Sequence, residues 1–163
     1  MRSLPEDVTS GSDGRLLEDR YLLGTRLRLR RVTRLGAAGA VEALEHKLGQ
    51  KTRPDPADPG LVLHTTMYLT ADEHSRLGGL PGADLRKVRH GVAHAGRGFS
   101  VDVFGGRHAG LVLVEIELAD GDRVEPPPFA GPEVTGDERF TGGWLAFAPD
   151  EALAEVLGLT GAS

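Results

Sequence analysis

The sequence predicts an all-β-dominated (α+β) fold, an antiparallel barrel or sandwich with a few flanking helices. Three observations carry this expectation. Apolar residues recur with period two in several stretches separated by glycine- and proline-rich breaks, the pattern of half-buried antiparallel strands. Only two segments, 70–77 and the one after Pro149, carry helix signals. The 163 residues suit one domain rather than two. A single unit over 1–163 is expected, with a core over about 15–148 and a C-terminal helix over 149–160.

Residues 1–14 read as a polar lead-in. From Leu16 to Thr33 the alternation of Leu27 and Leu29 with Arg26, Arg28 and Arg30 predicts a strand. Gly36, Gly39 and the alanines between them make a turn, and Val41 to Thr52 predicts a second strand, paired with the first as a hairpin. KTRPDPADPG, with three prolines, is a loop, and Leu61 to Tyr68 a further strand. Thr70 with Glu73 three residues on forms a capping box for a short helix. Leu85 to Ala93 alternates again, and Gly96 and Gly98 turn the chain into a strand over Phe99–Phe104. Gly105 and Gly106 lead to Gly110–Leu118, an apolar strand broken only by two glutamates. EPPPFAG is a rigid connection, followed by a short irregular region in which Trp144 is expected in the core. Pro149 then starts an amphipathic helix with Leu153, Val156 and Leu157 on one face.

Apolar residues make up 39% and charged residues 26%, so the chain is globular rather than disordered. No stretch approaches the roughly 20 apolar residues of a spanning helix, and MRSLPEDVTSGSDG lacks the apolar core of a signal peptide. The absence of cysteine excludes thiolate chemistry and cysteine-type zinc sites. A cytoplasmic protein with no membrane partner is expected. The net charge of −5 conceals an asymmetry: residues 15–53 carry +6 and residues 102–163 carry −9. That division predicts a site using both signs, and the acidic total argues against a nucleic-acid partner.

Three constellations carry candidate chemistry. Arg26, Arg28 and Arg30, with Lys47 and Lys51 on the neighbouring strand, present side chains about 7 Å apart on one face, the scale of a polyphosphate's oxygens; a solvated strand face gives the same pattern. Arg86, Lys87 and Arg89 form a second group with the same two readings. Glu115 and Glu117, two apart inside LVLVEIEL, repel one another unless a cation lies between them, and a divalent ion with oxygen ligands fits that role. Asp102 in Ser-Val-Asp-Val-Phe is a further ligand or an arginine anchor. His90 and His94 are a weaker metal pair. The glycine-rich nucleotide loops and the serine-hydrolase elbow are absent.

In order, the chain carries Tyr21-Leu22, Leu-Arg-Leu-Arg at 27–30, Lys-Leu-Gly-Gln-Lys at 47–51, Lys-Val-Arg at 87–89, Val-Asp-Val-Phe at 101–104, Gly-Leu-Val-Leu-Val-Glu-Ile-Glu-Leu at 110–118, then Pro-Pro-Pro-Phe and Glu-Val-Thr. This series, from about Asp19 to Ala146, resembles the CYTH family, the triphosphate tunnel metalloenzymes. The resemblance implies an eight-stranded antiparallel barrel forming a tunnel with charged residues pointing inward, so that Leu27 and Leu29 face outward under the helix at 70–77 and the C-terminal segment. It implies hydrolysis of inorganic or thiamine triphosphate, or cyclisation of ATP, with Mg²⁺ or Mn²⁺. It places Arg28, Arg30, Lys47, Lys51, Lys87, Arg89 and Arg139 on the triphosphate, Glu115, Glu117 and Glu133 around the metal, and Asp102 in support.

The implied mechanism is in-line attack of water on a terminal phosphoryl group, with the cations neutralising the non-bridging oxygens and the metal polarising the phosphate or holding the water. Clustered arginines should depress a neighbouring lysine, making Lys87 a general base with Tyr21 as proton relay. The chain departs from the family at its opening strand, E-x-E-x-K, which supplies two metal-binding glutamates and a lysine; here Met1 is followed by Arg-Ser-Leu-Pro-Glu-Asp. A barrel without that strand should have an open edge and a weaker metal site. A non-catalytic triphosphate- or polyphosphate-binding module and an adenylate cyclase are the alternatives. The sequence does not set the oligomeric state, a homodimer included.

Overall fold

The computed structural model describes residues 14–36, 40–119 and 121–161. The expected lead-in, apart from Gly14, and the tip of the turn at 37–39 lie outside the described residues. Seven strands form one antiparallel sheet: β1 (Arg15–Leu22), β2 (Leu27–Leu35), β3 (Val41–Thr52), β4 (Leu63–Leu69), β5 (Gly82–His94), β6 (Arg97–Phe104) and β7 (Val112–Glu115). Among the described residues three α-helices accompany them: α1 (Ala71–Gly78), α2 (Gly142–Phe147) and α3 (Asp150–Gly161). The sheet order is β4-β3-β2-β1-β5-β6-β7, so β4 and β7 are its edges and the sheet is not closed among the described residues.

The stretch from Leu16 to Thr33, expected as one strand, is two. A turn at Leu23–Arg26 folds it back, with Gly24 at φ 71° and Thr25 Oγ1 donating to the Leu22 carbonyl (2.9 Å) and accepting from the Leu27 amide (3.0 Å). Arg26 therefore leaves the arginine row: it precedes β2 and donates to Thr52 Oγ1. The β5–β6 hairpin turns on Ala95 (φ 49°) and Gly96 (φ 74°), the paired left-handed geometry of a two-residue turn, while Gly98 lies within β6. The capping box is present: Thr70 Oγ1 accepts from the Glu73 amide (3.2 Å) and Glu73 Oε2 from the Thr70 amide (2.7 Å). The region expected to be irregular contains α2, capped by Thr141, whose hydroxyl accepts from the Trp144 amide.

The larger core cluster joins Leu85 and Phe104 to Leu111, Leu145, Ala146, Leu153 and Val156, with Tyr21, Leu113 and Trp144 packed against it. Leu153 and Val156 thus point inward as their spacing predicts. The face they cover differs from the expectation. Tyr21, Leu85 and Phe104 lie on the same side of the sheet as Lys87, so α2 and α3 roof one end of that side rather than the outer leucines. Among the described residues α1 packs on the outer face, over β2, β3 and β4. A smaller cluster of Val92 and Val101, with Val103, Val112, Val114 and Phe129, packs on the outer side of β5–β7. His94 packs there against Phe99 and Phe129, and lies about 13 Å along the strand from His90.

Candidate functional site

Strand register gathers the candidate side chains. Directly paired residues share a face, and so do residues two apart. Asp19 pairs with Arg30 and Tyr21 with Arg28; Arg30 pairs with Lys47 and Arg28 with Gly49; Lys51 pairs with His64. Beyond β1, Leu17 pairs with Lys87, Arg89 with Asp102, and Ser100 with Glu115. Arg28, Arg30, Lys47, Lys51, Lys87 and Arg89 therefore share one face with Asp19, Asp102 and Glu115. The solvated-strand reading fails on burial: the Arg28 and Arg30 side chains are each 13% exposed and Lys87 9%, while Asp102 is completely buried.

That face is curved. On a flat sheet β3 and β7 would stand about 24 Å apart, five strand spacings. Here Glu115 on β7 acts electrostatically on Lys51 of β3, and Glu117 just beyond β7 acts on His64 of β4. The sheet therefore curves enough to bring the carboxylates of and just beyond β7 within electrostatic reach of β3 and β4.

Two buried carboxylates organise the cations. Asp19 accepts from Arg30 Nε and Nη2 at 2.6 Å each, with Arg28 Nε 3.8 Å away. Asp102 accepts from Arg89 Nε (2.6 Å) and Nη2 (2.7 Å) and from Lys87 Nζ. Arg89 Nη2 also donates to Glu115 (2.7 Å), and Lys87 Nζ lies 4.0 Å from that carboxylate and 5.1 Å from the Phe104 ring centroid. Lys47 pairs with Glu45 (2.7 Å) and sits 5.0 Å from the Tyr68 ring centroid. Burial alone would raise the Asp102 pKa, but bonds from Arg89 and the charge of Lys87 hold it below the ordinary carboxylate value. Burial would likewise lower Arg30, and Asp19 reverses that and raises it. Burial, reinforced by Asp19, raises Tyr21, so its phenol keeps its proton despite Arg28 and Arg30.

Two cations have donors to spare. Arg28 Nε is buried and makes no hydrogen bond among the described residues. Lys51 is exposed and has no hydrogen bond or ion pair there either. Its pKa is lowered by burial and by Arg28, Lys87 and Arg30, against the opposing pull of Glu115. A lowered lysine pKa thus falls on Lys51, and Lys87 donates to Asp102.

The expected metal ligands are not gathered. Among the described residues no three His, Cys, Asp or Glu side chains are grouped to hold an ion. Glu115 is taken by Arg89, Glu117 is exposed, and Glu133 is exposed and accepts from Thr135 Oγ1. Arg139 chelates the neighbouring Asp137 (Nη2–Oδ2 2.6 Å) and makes no bond to the charged face. Among the described residues Glu115, Glu117 and Glu133 do not form a carboxylate cage for Mg²⁺ or Mn²⁺.

Sequence reading missed Asp19 and His64, and two glycines that shape the site. A Cβ on Gly49 would meet Arg28 Nη2 at 3.3 Å, so its hydrogen leaves room for that guanidinium. A Cβ on Gly142, at the start of α2, would meet Tyr21 Oη at 2.0 Å, so the helix can seat on the tyrosine ring only with glycine there. Splitting Leu16–Thr33 into two strands would have exposed the Leu17, Asp19, Tyr21 face.

The chain is similar to two proteins named inorganic triphosphatase. One, from Nitrosomonas europaea, is 38% identical over 71 residues, covering 41% of this chain and 47% of the relative. The other, from Acetivibrio thermocellus, is 42% identical over 57 residues, covering 34% of this chain and 36% of the relative. The chain thus spans less than half the length of each relative in these matches. No family model matches it, and no solved structure matches it. No helix among the described residues is long and apolar enough to cross a membrane.

Proposed function

We propose that the charged inner face binds the triphosphate group of inorganic triphosphate or of a small organic triphosphate, and that the chain hydrolyses it as a member of the CYTH family. The observation that carries this reading is the set of six cations on one curved face, with Arg28 Nε buried and unbonded and Lys51 unpaired. A buried donor left without an acceptor costs about 1–3 kcal/mol, and a phosphate oxygen would satisfy it. The similarity to two inorganic triphosphatases points to the same chemistry.

In this reading Arg28, Arg30, Lys47, Lys51, Lys87 and Arg89 neutralise the non-bridging oxygens, with Asp19 and Asp102 fixing Arg30, Arg89 and Lys87 in place. Water attacks the terminal phosphorus in line; the new P–O bond forms as the bridging anhydride P–O bond breaks, giving orthophosphate and the shortened phosphate. The water's proton has two candidate acceptors. Lys87 with Tyr21 as relay is the pair implied by the family resemblance, and Lys51 is the lysine whose lowered pKa suits a base. An acidic limb of the kcat–pH profile that moves upward in Lys51→Arg assigns Lys51; a limb that stays in place assigns Lys87.

The test is phosphate release from inorganic triphosphate with Mg²⁺, with Mn²⁺ and with a chelator, alongside calorimetric titration. Turnover supports hydrolysis, and its dependence on the ion tests the expected metal requirement. Binding without turnover supports the second reading, a triphosphate-binding module, which the ungathered carboxylates favour. Failure to bind triphosphate overturns both.

A further inference from the structure

The outer face of the sheet holds a cavity of about 400 Å³ that the proposed chemistry does not use. Arg20, Arg31, Arg86, Arg107 and His74 line it, against the carboxylates of Glu18 and Asp84. The Asp19 carboxylate, from the same stretch of β1, is spent on Arg30 on the inner face.

Three of the four arginines are already neutralised. Arg31 donates to Glu18 through Nε (2.8 Å) and Nη2. Arg20 donates to Asp84 (2.8 Å) and to the Leu80 carbonyl. Arg107 donates to Asp150 (2.7 Å) and to the Ala148 carbonyl (2.6 Å). Arg86 has no side-chain bond or ion pair among the described residues. His74 Nε2 is buried and also unbonded, its ring 4.8 Å from that of His46. Burial, His46 and Arg31 lower the His74 pKa, so at neutral pH the ring is uncharged, and in the Nε2–H tautomer it is a donor without an acceptor. One surplus positive charge and an orphaned buried donor line a cavity within the size range of small-molecule sites.

We propose that this cavity is a second anion site, separate from the charged inner face, taking a phosphate-sized oxyanion between Arg86 and His74 Nε2, with Arg31 Nη1 as a further donor. A monophosphate group, free or carried on a small organic molecule, is the matching chemistry: one guanidinium fork supplies two parallel bonds and the imidazole a third.

The experiment titrates orthophosphate into the full chain carrying Arg28→Ser and Lys51→Ser, which weaken the inner face, and reads binding by calorimetry with circular dichroism as the fold control. One equivalent is expected to bind in this background. Adding Arg86→Ser should weaken it at least tenfold. His74→Gln, which keeps an N–H donor, should retain more affinity than His74→Leu. Phenyl phosphate run beside orthophosphate separates the sources: tighter binding marks an organic phosphate, equal binding the free ion. No orthophosphate binding in the inner-face background, or binding indifferent to Arg86→Ser in a folded protein, overturns the proposal.

Discussion

Asp102 is the buried carboxylate that Lys87 and Arg89 share, and it has no solvent contact. Asp102→Asn leaves two largely buried cations with only the exposed Glu115 as counter-charge, and should destabilise the fold by about 3–5 kcal/mol in urea unfolding. The pH dependence has a definite sign. Because the folded pKa is lowered from 3.8, stability from this carboxylate is fully present above that value and lost as pH falls through the folded one. Asp102→Asn should therefore flatten the acid limb of the stability profile below about pH 4. At Gly142 steric contact decides. Gly142→Ala brings a methyl against Tyr21 Oη and should cost about 1–3 kcal/mol; Tyr21→Phe in the same chain removes the nearest atom and should restore part of that loss, as a double-mutant thermal series would show. The arginines and lysines were legible because alternation announced a shared face. Asp19 was not, because in RLLEDRYL it stands beside Glu18 and alternation alone does not say which of the two is buried; only pairing with Arg30 does.

Local signals read well at the level of elements wherever the chain itself decides. The capping box of α1 depends on two residues three apart, and it forms as written. No residue of α1 is fully buried, so its ends carry much of its stability. Thr70→Ala should cost about 1 kcal/mol, seen as faster hydrogen exchange at the Glu73 and His74 amides with little change in global unfolding. The β1–β2 turn was missed because Leu-Leu-Gly-Thr interrupts the alternation by only one glycine. The α2 helix was missed because a six-residue helix starting with two glycines has little intrinsic propensity; it is held by the Thr141 cap and by Leu145 and Ala146 buried in the core. The choice of face for α3 was also beyond sequence reach. Its apolar stripe says that it packs, but not that its partners are Leu85 and Phe104 rather than Leu27 and Leu29.

For the molecule as a whole, the charge asymmetry along the chain folds into an interleaved pattern rather than two opposed walls. Asp19 sits among the early cations, and Lys87 and Arg89 among the later acids. Among the described residues β4 and β7 are the edges of the sheet and do not pair with each other. The β4 edge, LHTTMYL, carries no lysine, acid or proline to discourage pairing with another strand, and Leu63 (56%), Met67 (54%) and Tyr68 (72%) are exposed on it. Concentration-dependent self-association is the expected result, and Met67→Lys should reduce it in light scattering while leaving the charged face intact. Unchanged scattering would place the association elsewhere.

The roof of α2 and α3 over Tyr21, Leu85 and Phe104 turns the charged trough into a cul-de-sac. Under the proposed function, a linear polyphosphate would enter that end only by its tip, and short triphosphates would be favoured by architecture as well as by charge.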